Sequence, residues 1–171
     1  MSELNNIAKK IIRKGKGILA ADESTGTMTK RLESVGVSST PENRLLFRNT
    51  LFSSDAMKSY IGGVILYDET IKQNSLSKNK IPELISSTGA VPGIKVDTGA
   101  KILANSTEEK ITEGLDGLRE RLKEYYKLGA RFTKWRAVYK ITESYPSKLS
   151  IHSNAHALAR YAALVQESGM V

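Results

Sequence analysis

The chain has 171 residues, of which 40% are hydrophobic and 26% charged, and it carries a net charge of +8 and no cysteine. This size and composition are typical of one globular domain, and the lack of cysteine excludes disulfides, thiolate metal sites and cysteine nucleophiles. No apolar run approaches the ~18 residues of a membrane span, and the polar, basic N-terminus has no apolar signal-peptide core, so we expect a cytoplasmic protein without membrane contact.

The positive charge is compatible with a solvated basic surface, a nucleic-acid partner or a small anionic substrate. The lysines are spread along the chain rather than clustered, and only 6% of the residues are aromatic, so no base-stacking platform is predicted. We therefore expect no nucleic-acid partner. The solvated surface and the anionic substrate remain open on composition alone.

The first half of the chain alternates helical and strand patterns. The predicted elements are, in order, a helix over 3–14, a strand over 17–22, a helix over 24–35, a helix that begins at Thr40, and a strand over 60–67. Thr40 followed by Pro41 is a typical helix start, because the threonine caps the first turn and the proline needs no amide hydrogen bond at the first helical position.

The second half continues the alternation after a polar, loop-like stretch over 70–80. The predicted elements are a short helix over 81–88, a strand over 90–97, an irregular segment over 98–111, an amphipathic helix over 112–128, a strand over 132–138 and a helix over 153–168. Short apolar strands separated by helices are typical of a parallel α/β sheet. We predict one domain over 1–171, with its last element incomplete.

Charged residues occur in these strands, where a sheet buried on both faces would have none. Lys95 and Asp97 are two residues apart in the third strand and therefore share a face, as do Lys134 and Arg136 in the fourth. Asp22 closes the first strand. One such charge is usually solvated or paired, but charges from three strands indicate a site at the carboxyl edge of the sheet.

Two cations on one face of a buried strand repel each other, and an anionic substrate or interleaved carboxylates would relieve that repulsion. Cations close to a lysine also make its amine easier to deprotonate, which suits amine chemistry. The residues alone therefore predict imine formation on a phosphorylated carbonyl substrate, with Lys134 or Lys95 as the nucleophile. Ser24, which follows the first strand and opens a helix, is a candidate phosphate contact.

A metal site is a weaker alternative. His152 and His156 are four residues apart, which is the spacing of a helical ligand pair, but no carboxylate is suitably placed near them in the sequence. Histidines on helix surfaces are common. We therefore expect no metal and no other cofactor.

Seven short motifs follow one another along the chain: Lys16–Gly26 (KGILAADESTG), Glu42–Arg44 (ENR), Ile61–Leu66 (IGGVIL) with Glu69 and Thr70, Gly93–Asp97 (GIKVD), Gly114–Leu118 (GLDGL), Lys134–Arg136 (KWR) and Asn154–Ala162 (NAHALARYA). In order and spacing they resemble the N-terminal half of the class I, Schiff-base fructose-bisphosphate aldolases. The resemblance covers nearly the whole chain, and it depends on all seven motifs rather than on any one of them.

The resemblance implies a (β/α)8 TIM barrel, here incomplete, with about four β/α units after an N-terminal helix. It also implies a lyase of glycolysis and gluconeogenesis that reversibly cleaves fructose 1,6-bisphosphate to dihydroxyacetone phosphate and glyceraldehyde 3-phosphate without a metal. Asp22 matches the acid that orients and protonates hydroxyls. Lys95 matches a lysine near the substrate's 6-phosphate, and Ser24 lies on that side. Thr27 replaces a serine of the family and keeps its hydroxyl.

The remaining roles also come from the resemblance. Lys134 matches a lysine next to the imine-forming one, whose amine its charge would activate, and Arg136 accompanies it. This corrects the interpretation of Lys134 as the nucleophile. Arg44 matches an arginine assigned to substrate binding.

In the family, the catalytic glutamates and the imine lysine follow the segment matched here. We therefore expect a fragment that is inactive alone and that is homotetrameric when full length. The alternative is a non-catalytic aldolase half that acts as a binding or scaffold module.

Overall fold

The computed structural model describes residues 3–171. Its helices are α1 Glu3–Ile11, α2 Thr25–Glu33, α3 Pro41–Phe52, α4 Ala56–Tyr60, α5 Asp68–Ile71, α6 Ile81–Ser87, α7 Leu118–Lys127 and α8 Lys148–Glu167. Its strands are β1 Gly17–Ala21, β2 Ile61–Leu66, β3 Val91–Lys95, β4 Gly99–Ile102, β5 Lys110–Glu113 and β6 Phe132–Lys134. Among these residues no helix is both long and apolar enough to cross a membrane.

Four strands form one parallel sheet in the order β1-β2-β3-β6. Leu66 of β2 and Ile94 of β3 are fully buried, as expected for middle strands covered by helices. They belong to one hydrophobic cluster with residues of the surrounding helices, among them Phe52, Ile85, Leu122 and Val165. The prediction of an α/β fold with a parallel sheet is confirmed.

Two helices begin where the sequence predicts. α3 begins directly after Thr40, and α6 begins at Ile81. Thr40 caps α3, because its hydroxyl accepts a hydrogen bond from the Asn43 amide at 3.2 Å, and Pro41 occupies the first turn. Ser24 caps α2 in the same way through the Thr27 amide at 3.4 Å. Both caps satisfy amides that the first turn of a helix leaves unpaired.

The packing of Phe132 fixes the position of β6 against β3. A Cβ atom on Gly93 would lie 2.4 Å from the Phe132 ring, so only glycine leaves room for the ring there. With Gly93 opposite Phe132, Lys95 comes opposite Lys134 at the carboxyl ends of the two strands. A core contact at one end of the sheet thereby sets which charges meet at the other end.

The segment after β3 differs from the prediction. β4 and β5 form an antiparallel hairpin where an irregular segment over 98–111 was predicted, and α7 begins at Leu118 rather than at 112. Gly114 and Gly117, with φ angles of 128° and 63°, turn the chain between hairpin and helix. The helical spacing of Leu115 with the later leucines was misleading, because Leu115 lies in this turn and packs on the core from there.

Two further element boundaries were wrong. β6 ends at Lys134, four residues before the predicted end of that strand, and α8 begins at Lys148, five residues before the predicted 153. Ser147 caps α8, since its hydroxyl accepts from the Ser150 amide at 3.2 Å. The first turn of α8 was missed because its apolar residues, Leu149 and Ile151, are exposed and do not extend the buried stripe.

The backbone of Val171 pairs with the free edge of β6. Its amide donates to the Arg131 carbonyl at 3.0 Å, and its carbonyl accepts from the Thr133 amide at 2.7 Å. In a parallel ladder, a residue forms hydrogen bonds to the two residues that flank its partner on the neighbouring strand, as Val171 does around Phe132. Val171 thus makes a fourth parallel contact, in the position of a fifth strand beside β6.

Candidate active site

A cavity of about 370 Å³ opens at the carboxyl ends of the parallel strands. Its wall consists of residues at or directly after the ends of β1, β3 and β6, of the first turns of α2 and of the start of β4. Of the seven site residues predicted from the sequence, the structure brings six together around it: Asp22, Ser24, Thr27, Lys95, Lys134 and Arg136.

Two lysines lie side by side in this cavity, each with its own carboxylate. The ammonium group of Lys134 is 2.5 Å from Oδ2 of Asp22, which is 8% exposed. That of Lys95 is 3.6 Å from Oδ1 of Asp97. Carboxylates alternate with the cations, as expected for like charges crowded at strand ends. The strand order explains the pairing, because residues that are distant in sequence end at the same edge of a parallel sheet.

The first turn of α2 supplies hydroxyl groups to the same cavity. Ser24 Oγ and Thr27 Oγ1 are 3.1 Å apart, and both face the cavity. Hydroxyls beside the N-terminus of a nine-residue helix, together with Lys95 in the same cavity, form a suitable site for an anion.

Arg136 reaches the cavity by a different route from the one predicted. It is not in a strand with Lys134, because β6 ends at Lys134. The segment that carries Arg136 is held instead by the hairpin, since the buried Thr112 hydroxyl donates to the Arg136 carbonyl at 2.6 Å. The hairpin that the sequence did not predict thus positions one of the predicted site residues.

Arg44 is the predicted site residue that does not line the cavity. All three of its guanidinium nitrogens are engaged: Nε and Nη2 donate to the two carboxylate oxygens of Glu69 at 2.9 and 2.5 Å, and Nη1 donates to the Ser39 carbonyl at 2.6 Å. The hydrogen bonds from Arg44 lower the pKa of Glu69, and those to Glu69 raise the pKa of Arg44. This is a bidentate ion pair between α3 and α5.

Three further charged residues line the cavity and were not on the predicted site list: Glu23, Arg31 and Asp97. Arg31 is four residues after Thr27 on α2, so helical spacing alone could have identified it. Its guanidinium bonds to the Glu23 carboxylate. The Asp97 side chain is only 4% exposed, and its Oδ2 has no hydrogen-bond partner among the described residues. An unfilled buried acceptor on a cavity wall is suited to a hydroxyl or ammonium group of a ligand.

Metal ligands do not converge in the part of the chain that the structure describes. There, no group of three or more histidine, aspartate or glutamate side chains could hold a metal ion. His152 and His156 are exposed on α8, and His156 borders a cavity between α8 and β5. The chemistry available at the strand ends is that of amines, carboxylates and hydroxyls.

Comparison with known proteins agrees with this fold. The family model described as fructose-bisphosphate aldolase class-I matches residues 3–171. The chain belongs to the class I fructose-bisphosphate aldolase family, as its seven motifs predict.

Individual relatives span more than this chain. A probable fructose-bisphosphate aldolase class 1 of Xylella fastidiosa is 51% identical over 171 residues, which is 100% of this chain and 51% of the relative. Fructose-bisphosphate aldolase C-B of Danio rerio is 52% identical over 170 residues, which is 99% of this chain and 47% of the relative. The chain therefore spans about half the length of the curated relatives it matches.

A solved structure agrees equally well in three dimensions. Fructose-bisphosphate aldolase from Plasmodium falciparum, determined in complex with TRAP and a small molecule inhibitor, superposes with a TM-score of 0.95 at 46% identity. The match covers 99% of this chain and 49% of that chain.

Proposed function

We propose that this chain is the substrate-handling half of an aldehyde-lyase that reversibly cleaves fructose 1,6-bisphosphate to dihydroxyacetone phosphate and glyceraldehyde 3-phosphate. The observation that supports this best is the pairing of Lys134 with Asp22 beside Lys95 at the carboxyl edge of the parallel sheet. An amine-rich cavity with adjacent acids and hydroxyls suits a phosphorylated carbonyl substrate.

The chemistry assigns a task to each group. A lysine amine adds to the C2 carbonyl, and the carbinolamine loses water to give a protonated imine. The C3–C4 bond then breaks, its electrons move into the imine to give an enamine, and the C4 hydroxyl loses its proton as the aldehyde forms. Asp22 orients the hydroxyls in these steps and protonates the carbinolamine hydroxyl that leaves as water. The proton of the C4 hydroxyl passes to a catalytic glutamate of the segment that follows 1–171. The Lys134 charge and the neighbouring Arg136 favour the neutral amine of the imine lysine.

The phosphate groups account for the rest of the cavity. Ser24, Thr27 and Lys95 bind the 6-phosphate from one wall, and Arg31 lies on the same side. In this proposal, Arg44 binds substrate only in a conformation in which its ion pair with Glu69 is broken. No cofactor is assigned to this site, because the resemblance implies none.

The remaining residues of the reaction belong to further strands. The free edges of β1 and of Val171 leave room to extend the sheet, and closing it would give an eight-stranded (β/α)8 barrel in which 1–171 forms the first part of one domain. The imine lysine and the site of the other phosphate would lie on those strands. We propose a homotetramer for the full-length protein, by analogy with the family.

The test is to express the gene at its full encoded length and to assay fructose 1,6-bisphosphate cleavage. We expect turnover that resists chelators, and borohydride reduction with dihydroxyacetone phosphate that inactivates the protein and adds the ligand's mass to one lysine outside 1–171. The 171-residue chain alone should give neither turnover nor adduct. Metal-dependent cleavage, or an adduct on Lys95 or Lys134, would overturn this assignment.

A further inference from the structure

Arg48 is fully buried, with 0% of its surface exposed, although it carries a charge. It lies on α3, behind the cavity and outside its wall. Nη1 donates to the Thr70 hydroxyl of α5 at 2.6 Å, and Nη2 donates to the backbone carbonyl of Glu23 at 2.6 Å. One guanidinium thus joins α3, α5 and the turn that follows β1.

The short contacts of Arg48 go to a carbonyl and a hydroxyl, while its carboxylate neighbours are farther away. Glu69 Oε2 is 3.8 Å and Glu23 Oε2 is 3.9 Å from it, and neither makes a hydrogen bond to the guanidinium. Burial lowers the pKa of Arg48, and the two carboxylates oppose that effect. The side chain is therefore placed to hold a backbone group rather than to form a close ion pair.

Such an arrangement is expensive for folding. Removing a cation from water costs several kcal/mol, and apolar replacements of buried ion pairs are often neutral or stabilising. A leucine or methionine at this position of α3 would give an ordinary core. The cost of burying Arg48 must therefore be offset by another benefit. The Glu23 carbonyl, to which Arg48 donates, indicates which part of the molecule benefits.

That carbonyl belongs to the peptide at the centre of the β1–α2 turn. On one side of it Asp22 bonds to Lys134, and on the other Ser24 caps α2 and meets Thr27. Fixing the Glu23 carbonyl restricts the orientation of both flanking residues. A small rotation of this peptide would displace the Ser24 hydroxyl, because Ser24 is the next residue along the chain. It would thereby break the contact between Ser24 Oγ and Thr27 Oγ1 in the anion site.

We propose that Arg48 is a positioning residue that holds the β1–α2 turn through the Glu23 carbonyl and so sets the geometry of the phosphate-binding hydroxyls of Ser24 and Thr27. The proposal depends on the function proposed above. Arg48 itself touches neither cavity nor substrate.

The test is Arg48→Lys in the protein at its full encoded length, because a lysine keeps the charge but has one nitrogen, which cannot occupy the positions of both Nη1 and Nη2. We expect KM for fructose 1,6-bisphosphate and the inhibition constant of inorganic phosphate both to rise roughly tenfold. KM for fructose 1-phosphate, which has no 6-phosphate, should change less. Thr70→Val, which removes one acceptor of Arg48, should shift the same two constants less but in the same direction, and it tests the proposal if Arg48→Lys does not fold.

Arg131→Lys is the matched control. Arg131 also braces backbone carbonyls, those of Tyr126 and Ala130 at 2.9 and 2.7 Å, but at the opposite end of the sheet. It should leave both phosphate-dependent constants unchanged. Wild-type phosphate affinity in both test variants, or an equal shift in Arg131→Lys, overturns the proposal while the aldolase assignment stands. An inactive wild-type protein overturns both.

Discussion

Two groups of charged residues lie on either side of the turn that follows β1. The cavity cluster, formed by Asp22, Lys95, Asp97 and Lys134, faces an open space. The buried cluster, formed by Arg44, Arg48 and Glu69, lies behind it between α3 and α5. Both contain opposite charges in contact, and both involve strand ends. The comparison shows that the presence of charge alone does not distinguish a reactive site from a structural one.

The difference is in the hydrogen-bonding capacity that is left over. Every guanidinium nitrogen of Arg44 already donates to a protein acceptor. In the cavity cluster, Lys134 remains 30% exposed, and Asp97 keeps a buried oxygen without a partner. Nε of Arg48 in the buried cluster also has no partner among the described residues, but it does not line the cavity. Unfilled capacity can therefore bind a ligand where it faces the cavity, whereas the buried cluster holds the fold together. The experiments below test that distinction in the protein at its full encoded length.

The largest effect is expected in the cavity cluster. Lys134→Met should lower kcat by roughly 100-fold or more, because it removes the positive charge beside the imine and the partner of Asp22. The melting temperature should also fall, because the largely buried Asp22 carboxylate loses its cation. Steady-state assays and calorimetry measure the two quantities. Lys127→Met, at the exposed end of α7, is the control, and retained turnover in Lys134→Met would contradict the assignment.

A loss of stability without a loss of catalysis is expected in the buried cluster. Arg44→Met should lower the free energy of unfolding by about 2 kcal/mol, because it leaves the Glu69 carboxylate without its bidentate partner. Urea unfolding gives this number. If Arg44 acts only as a brace, KM of the folded variant stays near the wild-type value. A raised KM at unchanged stability would instead restore Arg44 to the substrate-binding residues that the sequence predicts.

An intermediate effect is expected where the wall of the cavity cluster meets the hairpin. Gly114 has a φ of 128°, and a Cβ there would lie 3.0 Å from the Thr98 amide nitrogen and 3.2 Å from Asp97 Cα. Gly114→Ala should therefore cost about 1–3 kcal/mol of stability and raise KM by displacing Asp97. Gly17→Ala, with ordinary φ and open space, is the control. Equal unfolding midpoints for the two variants would show that this turn is not constrained.

The parallel strands could be predicted from the sequence, whereas the hairpin before the Gly114 turn could not. The strands and their order followed from apolar runs, and parallel pairing then required Asp22, Lys95 and Lys134 to meet at one edge. The hairpin could not be predicted in this way, because β4 and β5 are half-exposed and show no regular alternation. Arg44 and Arg48 could not be told apart from cavity residues either, because their direction depends on how α3 packs, which periodicity does not give.

The smallest effect is the response of the buried cluster to acid. The hydrogen bonds from Arg44 lower the pKa of Glu69 from its ordinary 4.5, and burial opposes them only in part. A carboxylate with a lower pKa in the folded state contributes stability that is fully present above the unfolded-state value. That contribution is lost as the pH falls below about 4.5 and through the lower folded-state pKa.

Urea midpoints measured from pH 7 down to pH 3 should therefore fall less steeply for Arg44→Met than for the wild type. The two curves should converge at the acid end, where protonated Glu69 no longer needs its partner. Glu167→Gln, which removes an exposed pair with Arg119, should leave the slope unchanged, because water screens such a pair. Parallel curves for Arg44→Met and wild type would show that Arg44 does not lower the pKa of Glu69 in the folded state. The buried cluster would then be held by packing rather than by charge.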